Sequence, residues 1–391
     1  MFKRIKLLST FALATATLGL MAAAPAHAQG GGEPFRVGII ASETGPVSFL
    51  GDPFIKSVRL RVEQINSAGG INGRPVQLFA YDDESSPDKA LTFAKKLITE
   101  DKVAVILGPS LSSTTRAILP TIEAAKVPVL YNTPINEPPP GSFQFSPFPS
   151  EETSYRVALQ ELQRRGIKRL GVLATTDTTG ESGHGWLNKL ASTYGMEVVG
   201  SERLNIADKD VTPQMTKLRS ANPDAVFTAL SGAAVAAVCR SYVRLGMKQP
   251  LVFSTGAVSI NYPELLKGIT PDTLIFPTYK VLLGPEALPE SDGSRKPLAD
   301  YFKAYQAKYG KRPDSTGGSG YDAASLAFAA LQKANVNDPG KVRDALQQIK
   351  NFAGVNAVYS FSPEQHRGAG PSEQRMGQFK DGQFMMLKQQ Q

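Results

Sequence analysis

The chain has 391 residues, with 43 Lys and Arg against 35 Asp and Glu, and a formal net charge of +8. Its 41% hydrophobic and 20% charged residues are typical of a globular protein, and its length favours two domains. A single cysteine, Cys239, excludes an intrachain disulfide, a cysteine-rich zinc site and a CxxC redox pair. Cys239 lies in an apolar run, so we expect it to be a buried core residue.

Residues 1–28 have the three parts of a secretory signal peptide. Three basic residues precede an apolar stretch over residues 7–21, and Ala-His-Ala at residues 26–28 is a cleavage sequence. The apolar stretch is short for a membrane anchor, and no cysteine follows the cleavage site to carry a lipid. We therefore expect export from the cytoplasm, with Gln29 as the mature N-terminus and a net charge reduced to +5.

The chain lacks the sequence motifs of several common enzyme classes. It contains no GxSxG, HExxH or GxxxxGK[ST] motif. His184 and His366, the two histidines beyond the signal peptide, are expected on the surface rather than as metal ligands. The basic residues are interspersed with acidic ones, which argues against nucleic-acid binding. We therefore expect no enzyme, no catalytic residues, no metal and no cofactor.

From residue 35 the sequence alternates short apolar runs with amphipathic segments. Strands are predicted at 35–40, 76–81, 103–107 and 127–131. Helices are predicted from Asp52-Pro53, from Ser86-Pro87 and over residues 117–125. A capping residue followed by proline is a favoured helix start. This alternation predicts a parallel sheet with helices on both faces.

A proline-rich stretch with six prolines interrupts the alternation at residues 134–149. Beyond it the pattern resumes, with strands predicted at 169–174, 197–203, 225–230, 251–254 and 274–277 and helices from 151, 180, 212 and 233. The stretch is interpreted as a crossing between two α/β domains, with a flexible linker as the alternative. Three helices follow over residues 295–350, then a strand at 357–361. The final apolar runs, near 376–379 and 383–387, flank Lys380-Asp381-Gly382 and predict a hairpin.

Hydroxyl-bearing residues collect where the strand at 103–107 ends and the next helix begins. They are Ser110, Ser112, Ser113, Thr114 and Thr115. Open α/β sheets bind ligands at this edge, and the free N–H groups of a helix start favour a carboxylate. Simple capping of the helix by Ser112 or Ser113 is the alternative, but it needs only one hydroxyl. Equivalent strand ends carry Asn132-Thr133 and Thr178-Thr179.

Several segments resemble the leucine/isoleucine/valine-binding protein family, the type I periplasmic solute receptors of ABC importers. The most specific segment is Asn66-x-x-Gly69-Gly70-Ile71-Asn72-Gly73-Arg74. Supporting segments are Gly45-Pro46, Gly51-Asp52, Tyr81-Asp82-Asp83, Gly108-Pro109-Ser110, Asp177-x-x-Gly180-Glu181-Ser182-Gly183 and Gly320-Tyr321-Asp322-Ala323-Ala324. The resemblance spans essentially the whole mature chain.

The resemblance implies an α/β fold of two Rossmann-like lobes with parallel-rich sheets, joined by three crossings. The expected N-terminal lobe is 35–135 plus 278–352, and the expected C-terminal lobe is 141–275 plus 355–391. Crossings are expected in the proline-rich stretch, at 276–280 and near 355–361. The resemblance also implies a periplasmic receptor that delivers a small-molecule ligand to the membrane permease of an ABC importer. A ligand-binding component of a sensor is the alternative, and we expect a monomer that binds no nucleic acid.

The resemblance also assigns roles to individual residues. Ser112 stands where the family's serine meets the ligand carboxylate, and Asn132, Thr133 and Ile135 replace the loop that grips the amino and carboxylate groups. Near Thr255 the amino-acid receptors carry a glutamate for the ligand ammonium, and here no acid replaces it. The expected ligand-binding residues are Leu50, Ser112, Ser113, Asn132, Thr133, Thr179, Ser231, Gly232, Thr255 and Tyr279.

The missing glutamate predicts the class of ligand. A buried ammonium without a carboxylate partner is costly. We therefore expect a carboxylate that lacks an α-amino group, either an aromatic or an aliphatic acid. A branched-chain or other amino acid is the alternative ligand.

Overall fold

The structure, a computed structural model, describes residues 32–133, 135, 137–230, 234–258 and 260–387. The predicted signal peptide and the site residues Ser231 and Gly232 lie outside these ranges. The strands are β1 (Phe35–Ala41), β2 (Val76–Asp82), β3 (Val105–Leu107), β4 (Val129–Leu130), β5 (Gln144–Phe145), β6 (Arg169–Thr175), β7 (Glu197–Leu204), β8 (Ala225–Ala229), β9 (Leu251–Phe253), β10 (Leu274–Thr278), β11 (Phe352–Ala353), β12 (Val358–Tyr359), β13 (Arg375–Lys380) and β14 (Gln383–Met386). The helices are α1 (Ser48–Ser67), α2 (Pro87–Thr99), α3 (Ser112–Ala125), α4 (Glu151–Arg164), α5 (Thr178–Leu190), α6 (Thr212–Ser220), α7 (Val235–Arg244), α8 (Tyr262–Leu265), α9 (Lys280–Leu283), α10 (Arg295–Tyr309), α11 (Ser315–Ala334) and α12 (Pro339–Gln347).

The two lobes are built on separate sheets. The first sheet has the order β2-β1-β3-β4-β5, and its strands are all parallel. The second has the order β14-β13-β10-β9-β8-β6-β7, in which β13 and β14 are the antiparallel additions. Each sheet carries an apolar core on both of its faces. This arrangement confirms the predicted fold class, because parallel strands need helical crossovers that cover both faces.

Several local predictions are confirmed. Ser86 caps α2 with Pro87 in its first turn, α4 begins at Glu151, and α6 begins at Thr212. The hairpin of β13 and β14 turns at Asp381 and Gly382, which both have positive φ, as a tight hairpin turn requires. Cys239 is buried in the core of the second lobe, and burial raises the pKa of its thiol.

The start of the first helix differs from its prediction. Helix α1 begins at Ser48, and Pro53 lies inside it rather than at its first position. The buried face of α1 already includes Gly51, which precedes the proline. A Cβ on Gly51 would lie 2.0 Å from the carbonyl oxygen of Ser42, so the helix packs directly on the end of β1 at this point. Close packing on the strand therefore starts the helix before the proline.

The lobe boundaries differ from their prediction at two places. Strand β5 belongs to the first sheet, because its backbone pairs with β4. Residues 355–369 also belong to the first lobe, since Tyr359 and Phe361 are buried in its core. The Tyr359 hydroxyl donates to Asp322 on α11 over 2.7 Å, which holds this segment in place. The chain therefore crosses between the lobes at 146–150, at 278–280 and at 370–374, and the third crossing lies after the segment predicted for it.

Two kinds of feature, a membrane-spanning helix and a metal-binding cluster, are absent from the residues described above. Among them, no helix combines the length and apolar character that crossing a membrane would require. The same residues hold no group of three or more His, Cys, Asp or Glu placed to bind a metal ion.

Candidate ligand-binding cleft

Buried polar side chains follow the strands of the first sheet at their carboxyl ends. In spatial order across the sheet they are Asp83, Ser42, Ser110 and Asn132, which we call the first-lobe row. The Ser42 hydroxyl donates to Asp83 Oδ1 over 2.6 Å, and the Ser42 N–H donates to Ser110 Oγ over 3.4 Å. Parallel strands end at one edge, so these four residues form one polar floor there.

Two acceptor atoms of the first-lobe row have no hydrogen-bond donor. Asp83 Oδ2 and Asn132 Oδ1 are both buried, and neither has a partner in the part of the chain that the structure describes. Burial raises the pKa of Asp83, although Ser42 and the Ser85 N–H donate to its other oxygen. Buried acceptors without a donor are uncommon in proteins, so both atoms mark this edge as unusual.

Helix α3 begins at this edge without a capping side chain. Its N-cap residue is Leu111, so neither Ser112 nor Ser113 caps it and the capping alternative is wrong. The hydroxyls of Thr114 and Thr115 donate to the Leu111 carbonyl over 3.0 and 2.9 Å. Among the described residues, no side chain accepts from the first N–H groups of the helix, which suits an anion. Ser112 is half-buried beside them, whereas Ser113 is exposed.

The segment after β4 lies against the start of α3, as predicted. The Asn132 N–H donates to the Pro109 carbonyl over 3.2 Å, and the Thr133 hydroxyl donates to Thr115 Oγ1 over 3.3 Å. Both residues are buried. Asn132 and Thr133 therefore join the start of α3 in one site, with Thr133 as a support for Thr115.

The second lobe presents a more open edge. Asp177 caps α5, because its Oδ1 accepts from the Gly180 N–H over 3.1 Å. Thr179 and Thr255 are half-buried there. A Cβ on Gly256 would lie 3.4 Å from the methyl group of Thr179, so the start of α5 and the turn after β9 are adjacent. This edge brings together Thr179 and Thr255, while Ser231 and Gly232 lie outside the described residues.

Residues 254–258 of this edge contain no acid. Glu151, the first residue of α4, is half-buried and accepts from the Ser182 hydroxyl over 2.7 Å. Burial raises the pKa of Glu151, which favours its neutral form and weakens it as a partner for a cation.

Aromatic and charged side chains form the hinge between the lobes. The rings of Phe148 and Tyr279, from the first two crossings, have centroids 5.0 Å apart, and Tyr279 is mostly buried. Arg367 is 3% exposed and donates to the Ile135 carbonyl over 2.9 Å and to Ser146 Oγ over 3.1 Å. It also forms a salt bridge with Glu137 over 2.8 Å. Arg367 therefore ties the loop after β4 to the first crossing.

A second ion cluster joins the other two crossings. Lys280 is 1% exposed, and its Nζ lies 2.8 Å from Asp292 and 2.9 Å from Glu373. Arg375 pairs with the second oxygen of Asp292 over 3.1 Å. Burial alone would raise the pKa of Asp292. Hydrogen bonds from Lys280 and the Ser294 N–H, together with the positive charges of Lys280 and Arg375, outweigh burial and lower the pKa.

Comparison with known proteins decides the family. The sequence profile described as "Periplasmic binding protein" matches residues 34–383. The chain belongs to the periplasmic binding protein family. A leucine-, isoleucine-, valine-, threonine- and alanine-binding protein of Pseudomonas aeruginosa is 26% identical over 324 residues, which cover 81% of this chain and 82% of the relative.

Solved structures show the same fold for this periplasmic binding protein. A type 1 periplasmic binding protein from Bordetella pertussis has a TM-score of 0.74 and 27% identity, covering 90% of this chain and 99% of its own. An extracellular ligand-binding receptor from Rhodopseudomonas palustris has a TM-score of 0.77 and 26% identity, covering 91% and 100%. The homologues are solute-binding proteins, and the family places the protein in the periplasm.

Two features of the periplasmic binding protein were missed from the sequence. Phe49 is 67% exposed at the start of α1, next to the half-buried Leu50 that was predicted to contact the ligand. The exposure of Phe49 could have been predicted, because this large apolar residue lies outside the buried stripe of α1. His366 is fully buried rather than on the surface, because its Nδ1 is 2.9 Å from the Gln144 carbonyl and its ring stacks on Phe145. No pattern around His366 indicated this burial.

Proposed function

We propose that this periplasmic binding protein holds a small carboxylate between its two lobes and delivers it to an ABC importer. The observation that carries the proposal is the uncapped start of α3, where Ser112 lies beside N–H groups that no side chain of the described residues accepts from. These groups would hold the ligand carboxylate, while the helix dipole adds a favourable interaction with its charge. The predicted signal peptide supports delivery of the protein to the periplasm, where we propose that it acts as a monomer without enzymatic activity.

The second part of the proposal is that the ligand has no α-amino group. The turn after β9 has no acid, and Glu151 is already held by Ser182 with its pKa raised by burial. On the second lobe an ammonium would therefore lack a ready counter-charge. On the first lobe, burial raises the pKa of Asp83, which weakens this acid as an anionic partner. An aliphatic or aromatic acid without nitrogen fits these surroundings better.

The test is calorimetric binding of acids with matched carbon skeletons to the mature protein, residues 29–391. A thermal-shift screen first finds skeletons that bind, because a ligand of the folded state raises the melting temperature. We expect 4-methylpentanoate to bind more tightly than leucine, or 3-phenylpropionate more tightly than phenylalanine. Tighter binding of the amino acid in every pair would overturn the proposal that the ligand lacks an amino group.

A second candidate is a receptor for branched-chain amino acids. It is favoured by the amino acids for which the Pseudomonas aeruginosa relative is named and by the presence of Glu151 at the open edge of the second lobe. In that case leucine should bind, and Glu151→Gln should weaken its binding at least tenfold. Under the first proposal, Glu151→Gln should change the affinity for a nitrogen-free acid by less than threefold. The alternative of a sensor component is tested by whether deletion of the gene abolishes uptake of the bound acid.

A further inference from the structure

The inference starts from Asn132, the last residue of the first-lobe row. Asn132 is 6% exposed, and its Oδ1 is buried without a donor from any residue that the structure describes. A buried acceptor left unpaired destabilises the folded protein. The atom therefore lacks a donor, which a ligand enclosed at this edge could supply.

Neighbouring hydroxyl groups do not supply this donor. Thr133 donates to Thr115, and Thr115 donates to the Leu111 carbonyl, so both protons are directed toward the start of α3. The same is true of Thr114, which also donates to Leu111. The hydroxyl groups of these three threonines thus donate to acceptors other than Asn132 Oδ1.

The chemistry of the missing donor can be narrowed by elimination. A carboxylate has no hydrogen to donate, so it satisfies the start of α3 but not Asn132 Oδ1. An ammonium could donate, but a neutral amide oxygen does not balance its charge, and the turn after β9 contains no acid to do so. A hydroxyl group donates one hydrogen bond, carries no charge and matches a neutral acceptor.

The positions of the two groups set the spacing of the ligand. Asn132 follows β4 and α3 follows β3, and these strands are adjacent in the first sheet. Adjacent strands lie about 4.8 Å apart, so neighbouring functional groups of one small molecule reach both strand ends. The bond from the Asn132 N–H to Pro109 confirms that the two ends are in contact.

We propose that the ligand is a 2-hydroxy acid, whose carboxylate lies at the start of α3 and whose hydroxyl donates to Asn132 Oδ1. This inference rests on the proposed function, because it uses the same carboxylate site. It assigns Asn132 as the residue that distinguishes a 2-hydroxy acid from the corresponding acid without the hydroxyl. Ser112 then determines binding of the carboxylate common to both.

The experiment compares three acids on each skeleton that the thermal-shift screen detects. For the leucine skeleton these are 2-hydroxy-4-methylpentanoate, 4-methyl-2-oxopentanoate and 4-methylpentanoate, and for the aromatic one phenyllactate, phenylpyruvate and 3-phenylpropionate. The 2-hydroxy acid should bind about threefold to tenfold more tightly than the unsubstituted acid, as one added hydrogen bond provides. The 2-oxo acid tests the direction of the bond, because its oxygen accepts and should give no gain.

Two variants separate the roles of the residues. Asn132→Leu removes the acceptor at similar size, so the preference for the 2-hydroxy acid should fall below twofold. Ser112→Ala should weaken both acids by a similar factor and leave the preference intact. Each variant is first compared with the wild type by thermal melting. If Asn132→Leu fails to fold, the three acids measured on the wild type still decide the proposal.

The outcomes distinguish this inference from the proposed function. If the unsubstituted or 2-oxo acid binds the wild type as tightly as the 2-hydroxy acid, the inference is wrong. The carboxylate receptor would survive that result. If the amino acids bind most tightly, this inference and the proposed lack of an amino group are both wrong, while the carboxylate receptor survives. If no carboxylate binds at all, the carboxylate receptor is wrong as well.

Discussion

The two edges that face the cleft are built differently. The row on the first lobe, which runs from Asp83 to Asn132, is buried and hydrogen-bonded within the protein. The edge of the second lobe carries half-buried Thr179 and Thr255 beside a capped helix. A polar site already fixed inside the protein needs little rearrangement when a ligand arrives. The difference leads us to expect that the first lobe recognises the ligand and that the second lobe then closes over it.

At both edges a glycine lets a helix pack directly on the end of a strand. Replacing this glycine should have the largest effect on the free energy of unfolding. A Cβ on Gly51 would lie 2.0 Å from the Ser42 carbonyl oxygen, and one on Gly180 would lie 1.9 Å from that of Thr175. Gly51→Ala and Gly180→Ala must each displace a strand end, so each should lower the free energy of unfolding by about 3 kcal/mol. Chemical denaturation measures this change.

The control for these variants is Gly185→Ala on the same helix as Gly180. Nothing lies within 4 Å of a Cβ at Gly185, so alanine should stabilise the helix by about 0.5–1 kcal/mol. Equal effects of Gly180→Ala and Gly185→Ala would contradict the packing argument.

Removing a hydroxyl from each edge should affect binding unequally. Ser112→Ala should weaken binding of the carboxylate at least tenfold, as expected for a hydrogen bond to a charged group. Thr255→Ala on the second lobe should weaken it by less than threefold. Calorimetry on both variants provides the comparison, and a larger loss for Thr255→Ala would reverse the assignment of recognition to the first lobe.

Capping also distinguishes the two edges, with a smaller expected effect. Asp177→Ala removes the cap of α5 and should lower the free energy of unfolding by about 1 kcal/mol. Ser113 lies in the first turn of the uncapped α3, so Ser113→Ala should change the free energy of unfolding by less than about 0.5 kcal/mol. A similar loss for both variants in urea denaturation would show that Ser113 acts as a cap.

For Asp83 the prediction concerns the direction in which the free energy of unfolding changes with pH. Burial raises its pKa, so the folded protein binds this proton more tightly than the unfolded chain does. The stability that the protonated group contributes is complete below about pH 4 and is lost as the pH rises through the raised pKa. Asp83→Asn does not titrate, so its free energy of unfolding should rise relative to the wild type between pH 4 and pH 7. A difference that stays constant over this range would contradict the prediction.

Sequence patterns were sufficient for the order of the elements and for part of the site. Alternation of apolar runs and amphipathic segments predicted both sheets, because parallel strands require crossovers of that kind. The placement of Ser112 and Asn132 at one edge of the first sheet was predicted because parallel strands end at the same edge. This prediction needs only the positions of residues that directly follow each strand, and these can be read from the sequence.

Features that depend on distant partners could not be predicted in this way. Residues 352–361 contain short apolar runs, yet they form a hairpin of the first lobe because Tyr359 reaches Asp322, 37 residues away. Lys280 is buried because Asp292 and Glu373 surround it, and these partners are 12 and 93 residues away. Single residues of this kind carry no periodic signal that would indicate their burial.

The ion pair between Lys280 and Glu373 limits the mechanics of the hinge. Lys280 lies at the end of the second crossing and Glu373 lies in the third, so a buried salt bridge of 2.9 Å holds two of the three connections at a fixed separation. The second and third crossings then behave as one rigid connection between the lobes, and the first crossing is the other connection. Two connections define one hinge axis, about which the lobes can bend, whereas twisting of one lobe against the other is resisted. Repeated opening and closing would therefore return the same faces of the lobes to the same register.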